Sequence, residues 1–305
     1  MEINYLFLLP LVVLLDALLG EPRRYHPLVG FGNAAYFIER HFNNNTLKAG
    51  VLAWLVLVLP LVLICGLMAD LLGWWFEVLI AYLALGAKSL WQHAQPIQQA
   101  LQANDLSRAR QRLGWIVSRN TSQLDAEAIS KATIESLLEN GSDAIFATLF
   151  WFAIAGAEGA LLYRLSNTLD AMYGYRNLQY TYFGRFSARV DDVLNWIPAR
   201  LSAISYSLYG DTKTALHCWK TQGTQWYSPN AGPVMAAGAG ALKLKLGGDA
   251  VYDGKLKSRI ILGVGYAPSA KDIHRAWLMV RASLFAWCVI AILLGLFFKI
   301  SSFIG

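Results

Sequence analysis

Acidic side chains recur at helical spacing near the middle of the chain. Lys131, Glu135, Glu139 and Asp143 are each four residues apart, so a helix would place them on one face. Carboxylates that converge at this spacing could bind Mg²⁺, which prefers oxygen ligands and retains several of its waters. Ordinary pairing between the turns of a solvated helix is the alternative, and spacing alone favours it.

The stretch 167–177, NTLDAMYGYRN, holds polar groups between two apolar segments. Asn167, Asp170 and Arg176 flank Gly174 there, and two tyrosines accompany them, which is unusual for both a solvated loop and a buried helix. The planar guanidinium of Arg176 could bind a phosphate or a carboxylate. A binding site and a structural turn are equally consistent with these residue types.

A second polar stretch, 189–200, reads RVDDVLNWIPAR. Asp192 and Asn195 are three residues apart, and Asp191 and Asn195 are four apart. Ionisable groups beside an apolar segment at membrane depth are costly and are usually retained for function. Local salt bridges from the arginines that begin and end the stretch, Arg189 being the first, are the equally weighted alternative.

Two further motifs carry weaker signals. GEPRRYHP (20–27) contains His26, which could be a ligand or an acid–base group, although a lone histidine is more often structural. YSPNAGPVMAAGAGAL (227–242) begins with Ser228 and Asn230 in a turn and continues with small residues. Small side chains allow close helix packing or the close approach of a large flat ligand, and packing is the favoured interpretation.

The elements that position these residues are predicted to be membrane helices. The chain is 56% hydrophobic and only 15% charged, with a mean hydropathy of +0.39, whereas soluble proteins carry roughly 25% charged residues. Residues 51–69 and 282–298 are uncharged and long enough to cross most of a bilayer core about 30 Å thick. Residues 5–19 are also apolar except for Asp16, and residues 74–90 form a weaker fourth candidate span. Residues 144–209 are apolar but interrupted, which predicts re-entrant or interfacial helices.

Lysine and arginine concentrate in the segments that would lie on one side of these four spans. The positive-inside rule places those segments in the cytoplasm and both termini outside. Between the spans, Asp105 and Ser122 are predicted to begin helices, and Gly141 to end the second. No alternating strand pattern or internal repeat is visible. The sequence therefore predicts an all-α, polytopic integral membrane protein with cytoplasmic helical loops, in a single domain over 1–305.

Several functional classes are excluded by what the sequence lacks. Cys65, Cys218 and Cys288 show no metal-ligand spacing and are interpreted as apolar core residues. There is no phosphate-binding P-loop, metalloprotease, serine hydrolase or kinase motif. The net charge of +6 is spread through loops, so nucleic acid is not an expected partner. Basic loops favour an anionic small molecule or anionic lipid of the bilayer instead.

Six segments, taken in order, resemble the CobD/CbiB family of cobalamin biosynthesis. They are LDALLGEPRRYHPLVGFG (15–32), GWIVSRNTSQLD (114–125), ATIESLLENGSDAIFATLFWF (132–152), NTLDAMYGYRN (167–177), ARVDDVLNWIPARL (188–201) and SPNAGPVMAAGAGAL (228–242). The similarity runs through about residues 10–275. The family comprises the integral membrane adenosylcobinamide-phosphate synthases, so the resemblance implies this activity and a location in the cell (inner) membrane.

The resemblance implies an ATP-dependent amide ligation. The propionate of adenosylcobyric acid would be joined to (R)-1-aminopropan-2-ol or to its O-phosphate, and the residues leave that choice open. A carboxylate must first be activated, most simply as an acyl phosphate, and phosphoryl transfer needs Mg²⁺ and cationic groups. ATP and Mg²⁺ are therefore the implied cofactors. An association with other corrinoid-assembly proteins is compatible with this role.

Candidate residues follow from this chemistry within the matched segments. The candidate catalytic residues are Glu135, Glu139, Asp143, Asp170 and Asp192, and the candidate Mg²⁺ ligands are Glu139, Asp143 and Asp170. The candidate substrate-binding residues are His26, Arg119, Asn140, Asn167, Arg176, Arg189, Asn195, Ser228 and Asn230. The arginines would bind phosphates and the asparagines would hydrogen-bond corrinoid amides. A carboxylate or His26 would accept the proton of the incoming ammonium.

Two positions depart from the family pattern. Asn120 and Val264 stand where the family usually has aspartate, and a lost metal ligand at either position would weaken the assignment. The alternative function is that of an AmpE-like, non-enzymatic membrane regulatory or sensor protein from the same superfamily. The intact polar stretches 167–177 and 189–200 argue against that alternative.

Overall fold

Helices make up most of the described chain, which confirms the all-α prediction. The computed structural model describes residues 5–22, 24–174, 179–252 and 255–304, without the side chains of 250–257 and 302–304. The helices are α1 (Tyr5–Leu19), α2 (Pro27–Phe42), α3 (Leu47–Leu72), α4 (Trp74–Ala84), α5 (Ala87–Gln102), α6 (Leu106–Leu113), α7 (Ala126–Gly141), a π-helical segment (Ser142–Ala147), α8 (Thr148–Tyr173), α9 (Arg185–Leu194), α10 (Trp196–Tyr209), α11 (Thr212–Gln222), a short 3₁₀ turn (Gly223–Gln225), α12 (Ala231–Leu242) and α13 (Ala270–Ile304).

The chain divides into two compact units, each assembled from separate segments. The first unit comprises Met1–Ala87, Ala147–Asn195 and Cys288–Gly305, and the second comprises Lys88–Phe146 and Trp196–Trp287. The single domain expected from the sequence stays a prediction.

The first unit packs α8 against α3, α4 and α9. Its core includes Trp54 and Tyr173, whose polar atoms are paired as buried polar atoms normally are. The indole nitrogen of Trp54 donates to Ser166 Oγ at 3.2 Å, and the hydroxyl of Tyr173 donates to the carbonyl of Ala35. These bonds fix the C-terminal half of α8, which carries several of the candidate site residues.

A break in α8 is capped by a carboxylate from another helix. Ala155 and Gly156 have non-helical dihedral angles, with Gly156 at φ +57°. Glu77 of α4, which is buried, accepts the N–H of Ala157 through Oε2 and the hydroxyl of Tyr5 through Oε1. A Cβ on Gly156 would lie 2.5 Å from the Glu77 carboxylate, so glycine is needed both for the dihedral angle and for the contact.

We expect Glu77→Ala to lower the stability of the protein by about 2–3 kcal/mol, because it leaves a buried N–H and a part-buried hydroxyl without an acceptor. Glu77→Gln keeps one acceptor oxygen and should lose less. Thermal unfolding of the two purified variants in the same detergent tests this order. An unchanged unfolding midpoint in Glu77→Ala would show that the carboxylate does not cap the break.

In the second unit, close packing explains the run of small residues. Every residue of α12 is buried, and the helix packs on α10 and α11. A Cβ on Gly232 would lie only 2.2 Å from the carbonyl oxygen of Gly223, so a larger residue cannot be accommodated without a shift. The packing interpretation of 227–242 therefore holds for α12.

The helix caps near the candidate site agree only in part with the predictions. Asp105 begins α6, where its side chain accepts the N–H of Arg108, as expected. Asp125, rather than Ser122, begins α7, because its carboxylate accepts the N–H of Ala128 at 2.8 Å. The predicted end at Gly141 is confirmed for α7, although the chain continues directly into the π-helical segment and α8.

Three helices of the described chain are long and apolar enough to cross a membrane by length and composition. They are Leu47–Leu72, Ala126–Tyr173 and Ala270–Ser301. Residues 144–209, which were expected to form re-entrant or interfacial helices, therefore begin inside one helical run of 48 residues. The break that Glu77 caps bends this run but does not end it. Residues 5–19 form α1 as predicted. The predicted span 74–90 is wrong as a single helix, because α4 ends at Ala84 and Leu85 is extended.

Four short strands lie in the second unit, where the sequence indicated none. β1 (Leu246–Gly247) pairs antiparallel with β4 (Ile261–Leu262), and β2 (Ala250–Tyr252) pairs antiparallel with β3 (Lys255–Lys257). Strands of two or three residues are too short to show an alternating pattern. The pairing of β1 with β4 matters for the site described next, because it brings Gly247 and Arg259 onto α7.

Candidate functional site

A buried ion cluster centred on Glu135 lies in the second unit. Arg259 binds the Glu135 carboxylate with both terminal nitrogens, at 3.2 Å and 3.3 Å, and the N–H of Gly247 donates to it at 2.7 Å. Arg119 Nη2 lies 4.0 Å from the same carboxylate. The side chains of Arg119, Glu135 and Arg259 are only 7%, 9% and 4% exposed. One carboxylate therefore faces two guanidinium groups.

Local contacts hold the loop that carries Arg119. Arg110 of α6 donates through Nε to the carbonyl of Leu124 at 2.8 Å, and the hydroxyl of Thr121 donates to the carbonyl of Arg110 at 2.9 Å. On the other side of the cluster, Arg259 lies over the ring of Trp226, 5.1 Å from its centroid, as a cation–π contact. The loop and the indole thus fix both guanidinium groups.

A cavity of about 230 Å³ opens beside this cluster. Its lining includes the three charged side chains of the Glu135 cluster together with Glu139, Asn140 and Trp226. Arg119 Nε and Trp226 Nε1 are buried, and neither has a hydrogen-bond partner among the described residues. The cavity is therefore lined mainly by charged and polar side chains.

A second polar cluster lies in the first unit, where α8 packs on α9. Arg164 donates to Asn167 Oδ1 at 3.4 Å, and Asn167 Nδ2 donates to Asp191 Oδ1 at 3.1 Å. Asn195, which ends α9, also hydrogen-bonds Asp191. The two polar stretches singled out in the sequence therefore meet at Asp191. We call Arg164, Asn167, Asp191 and Asn195 the Asp191 cluster.

Carboxylates crowd the Asp191 cluster. Asp191 is 8% exposed, and the negative charges of Asp170 and Asp192 act on it. Burial, with the charge of Asp170 next in size, raises the pKa of Asp191 well above its usual range. The Oγ of Ser187 in α9 is buried and has no partner among the described residues. A cation placed here would offset the repulsion between the carboxylates.

His26 has a structural partner and a buried ring nitrogen. Its Nδ1 accepts the N–H of Leu28 at 3.2 Å and so caps α2. Burial lowers the pKa of His26, and the charge of Arg164 acts in the same direction, against that of Glu21. In the neutral ring the proton then resides on Nε2, which is buried without a partner among the described residues. This arrangement suits hydrogen-bond donation to a substrate better than proton acceptance.

The other predicted substrate-binding residues mostly have structural partners. Ser228 Oγ accepts the N–H groups of Asn230 and Ala231, while Asn230 Oδ1 accepts from Arg200 at 2.7 Å. Asn140 is exposed and donates to Ser136 at 3.0 Å, although it also lines the cavity. Arg189 is exposed on α9. Arg176 lies outside the described residues.

The predicted Mg²⁺ ligands Glu139, Asp143 and Asp170 stay a prediction. No group of three or more His, Cys, Asp or Glu side chains in the described ranges has metal-binding geometry. The residues of the four-residue repeat, Lys131, Glu135, Glu139 and Asp143, do not share one environment. Lys131 pairs with Glu127 at 3.6 Å on a solvated surface, whereas Glu135, one turn away, is buried in the Glu135 cluster.

Three site residues were missed at the sequence level: Arg164, Trp226 and Arg259. Arg164 precedes Asn167 by three residues, so helical spacing could have identified it. Arg259 is 124 residues from Glu135, and nothing in the sequence connects them.

Comparison with known proteins decides the family. The family model described as CobD/Cbib protein matches residues 9–280. The chain belongs to the CobD/CbiB family. A relative from Stutzerimonas stutzeri, named "Cobalamin biosynthesis protein CobD", is 54% identical over 93% of this chain and 95% of its own. Relatives with the same name are 50% identical in Chromobacterium violaceum (96% of this chain, 98% of theirs) and 38% identical in Clostridium perfringens (82% and 84%). No solved structure matches.

The two departures from the CobD/CbiB pattern are at exposed residues. Asn120 is exposed, and its Oδ1 accepts the N–H of Ser122 at 2.9 Å, a turn contact that an aspartate would also make. Val264 is exposed between Gly263 and Gly265, both of which have positive φ. Neither residue is among those that line the cavity beside Glu135.

Proposed function

We propose that this protein is a membrane-bound ligase of cobalamin biosynthesis that joins adenosylcobyric acid to aminopropanol or its O-phosphate. The observation that carries the proposal is the CobD/CbiB match over residues 9–280, which contains both polar clusters. In the reaction, the terminal phosphoryl group of ATP passes to the propionate carboxylate. The amine then attacks the acyl carbon, and the products are the amide, ADP, phosphate and a proton.

The Asp191 cluster has the donors that magnesium chemistry needs. Mg²⁺ is commonly held by one or two carboxylates together with phosphate oxygens and water, so a pair such as Asp170 and Asp191 suffices. The crowded carboxylates and the unpartnered Ser187 hydroxyl fit a cation at this place. When bound, Mg²⁺ neutralises charge on the phosphates during transfer. The guanidinium of Arg164 adds a positive charge close to this set.

The protein's own groups also suit the second half of the reaction. The incoming amine is an ammonium at neutral pH and must lose a proton before it attacks. With Asp170 and Asp191 on the metal, the neighbouring carboxylate of Asp192 would accept that proton. His26 would donate its Nε2–H to the substrate, in keeping with its bond to Leu28.

A membrane location is part of the proposal. The three long apolar helices would cross the bilayer of the cell membrane, and charged residues at their ends would set the orientation. A corrinoid bearing several amides and one free carboxylate would approach from the cytoplasm, where ATP is available.

Reconstitution tests this function directly. The chain is extracted from membranes, purified in detergent and supplied with adenosylcobyric acid, ATP, Mg²⁺ and either aminopropanol or its O-phosphate. We expect the corrinoid amide to form with one ADP released for each amide. Absence of the amide with both amines, in protein that remains folded, would contradict the ligase function and favour a non-enzymatic role.

A further inference from the structure

Three exposed cations of the first unit lie around the junction of α2, α3 and α9. They are Arg40 in the last turn of α2, Lys48 in the first turn of α3 and Arg185 at the start of α9, and we call them the basic rim. None of the three forms an ion pair with a residue that the structure describes. Their positive charges therefore face the surroundings of the protein.

Hydrogen bonds join the segments that carry the basic rim. Asn43 Nδ2 donates to the carbonyl of Gln179 at 3.1 Å, and Asn45 Oδ1 accepts the N–H of Tyr182 at 3.0 Å. The turn between α2 and α3 is thus bound to the residues that lead into α9. Each cation of the basic rim is three residues from one of these bonded residues, so the three lie on one continuous surface.

The apolar helix α3 fixes the depth of this surface in a bilayer. It has no charged residue between Lys48 and Asp70, so Lys48 marks one edge of its apolar span. Phe186, which follows Arg185, packs edge-on against Trp54, with 5.7 Å between the ring centroids. Trp54 lies only about 9 Å beyond Lys48 along the helix. The start of α9 therefore lies near the edge of the hydrocarbon, where lipid headgroups begin.

Exposed aromatic side chains accompany the basic rim. Tyr36, Phe37 and Phe42 of α2 are 57%, 57% and 60% exposed, and Tyr182 is 53% exposed. Aromatic rings at the level of the headgroups, together with cations, are typical of surfaces that contact the membrane interface. The same residues on a surface facing only water would leave apolar area uncovered.

Neighbouring carboxylates leave the charge of the basic rim uncompensated. Glu39 is only 6% exposed, and its carboxylate accepts from Gln179 Nε2 at 2.7 Å. The charge of Asp192, in α9, acts on the buried carboxylate of Asp191. An anion at the rim would meet cations and aromatic rings, and the lipid phosphate is the anion present at this depth.

We propose that the basic rim binds the headgroup of an anionic phospholipid in the cytoplasmic leaflet, to which the positive-inside rule assigns this edge. Guanidinium and ammonium groups would bind the phosphate, and the aromatic side chains of α2 would contact the glycerol and the upper acyl chains. The inference rests on the membrane location proposed above and not on the ligase reaction.

Lipid competition in native mass spectrometry tests the site. The full chain in detergent is supplied with equal amounts of phosphatidylglycerol and phosphatidylcholine, and the lipids that stay bound are counted. We expect the wild type to prefer phosphatidylglycerol. A variant with Arg40→Gln, Lys48→Gln and Arg185→Gln should lose about fivefold of this preference per residue, on the order of 100-fold in all. Arg189, one turn beyond, is left unchanged because it is a candidate substrate-binding residue.

A control variant removes the same net charge elsewhere. Arg108→Gln, Lys220→Gln and Lys245→Gln replace three exposed cations of the second unit, and this variant should keep the wild-type preference. If the control variant loses the preference as the rim variant does, attraction to net charge explains the binding and the proposal is overturned.

Other outcomes also overturn the proposal. They are equal binding of the two lipids by the wild type and an unchanged preference in the rim variant. A wild-type dimer that is lost in the rim variant would assign the surface to a second copy of the chain. If the triple variant does not fold, Arg185→Gln alone decides, with an expected fivefold loss of preference.

The membrane location and the lipid site fail in different ways. If the expressed chain stays in the supernatant when membranes are sedimented, both fail. If it sediments with the membranes and resists a carbonate wash, yet binds the two lipids equally, the location stands and the lipid site fails.

Discussion

Asp191→Asn is expected to reduce corrinoid amide formation by about 10²- to 10³-fold, the range seen when a group that stabilises transition-state charge is removed. Asparagine has almost the same shape as aspartate and keeps an oxygen for the amide of Asn167, which donates to Asp191 at 3.1 Å. What it removes is the negative charge in the cluster formed with Asp170 and Asp192. In the proposed reaction that charge holds Mg²⁺.

Asp191→Asn should lose activity without losing stability. Burying a carboxylate beside other carboxylates is unfavourable, so removing the charge should leave the unfolding midpoint unchanged or slightly higher. Activity and thermal unfolding are therefore measured on the same preparation. Asp105→Asn is the matched control, because this exposed residue caps α6 and asparagine caps equally well. Full activity in Asp191→Asn would remove the Asp191 cluster from the mechanism.

Local spacing predicted the parts of this cluster but not its assembly. The separation of Asp191 and Asn195 by four residues places both at the end of one helix, where the structure shows them hydrogen-bonded. The contact of Asn167 with Asp191 requires α8 to pack on α9, and that depends on the whole apolar core of the first unit. Spacing within a helix is a local property, whereas the meeting of two helices is not.

The Glu135 cluster shows the same limit more strongly. We expected one face of a helix to carry Lys131, Glu135, Glu139 and Asp143. The helix is confirmed as far as Glu139, but the four side chains lie in different environments. Glu135 is buried because β1 and β4 bring Gly247 and Arg259 onto α7, and these strands are too short to leave a pattern in the sequence. Glu135 could therefore be identified as a candidate from the sequence, whereas its partner Arg259 could not.

The long apolar stretches were predicted correctly as helices, whereas several helix ends were not. The uncharged stretches 51–69 and 282–298 lie inside α3 and α13, because a long apolar run has few alternatives to a helix. The end of α4 at Ala84 and the capped break at Gly156 depend on single contacts, such as that of Glu77 with the N–H of Ala157. Such contacts come from distant parts of the chain and leave no local signature.

Glu135→Ala should produce the largest loss of stability, about 3–5 kcal/mol, because it leaves buried charges without their counter-ion. Arg259 is 4% and Arg119 is 7% exposed, so water cannot replace the carboxylate. The N–H of Gly247 loses its acceptor as well. The measurement is thermal or denaturant unfolding in a single detergent, with Glu127→Ala as the control on the same helix. That residue pairs with Lys131 at the surface, and its loss should cost no more than about 0.5 kcal/mol.

A double variant distinguishes lost pairing from lost packing. Replacing both partners, as in Glu135→Gln with Arg259→Met, removes the charge together with its counter-charge. We expect it to be more stable than Glu135→Ala, because an uncompensated buried charge costs more than the absence of the pair. If the double variant is instead as unstable as the sum of its single variants, the two side chains act independently and the cluster is not a coupled ion pair.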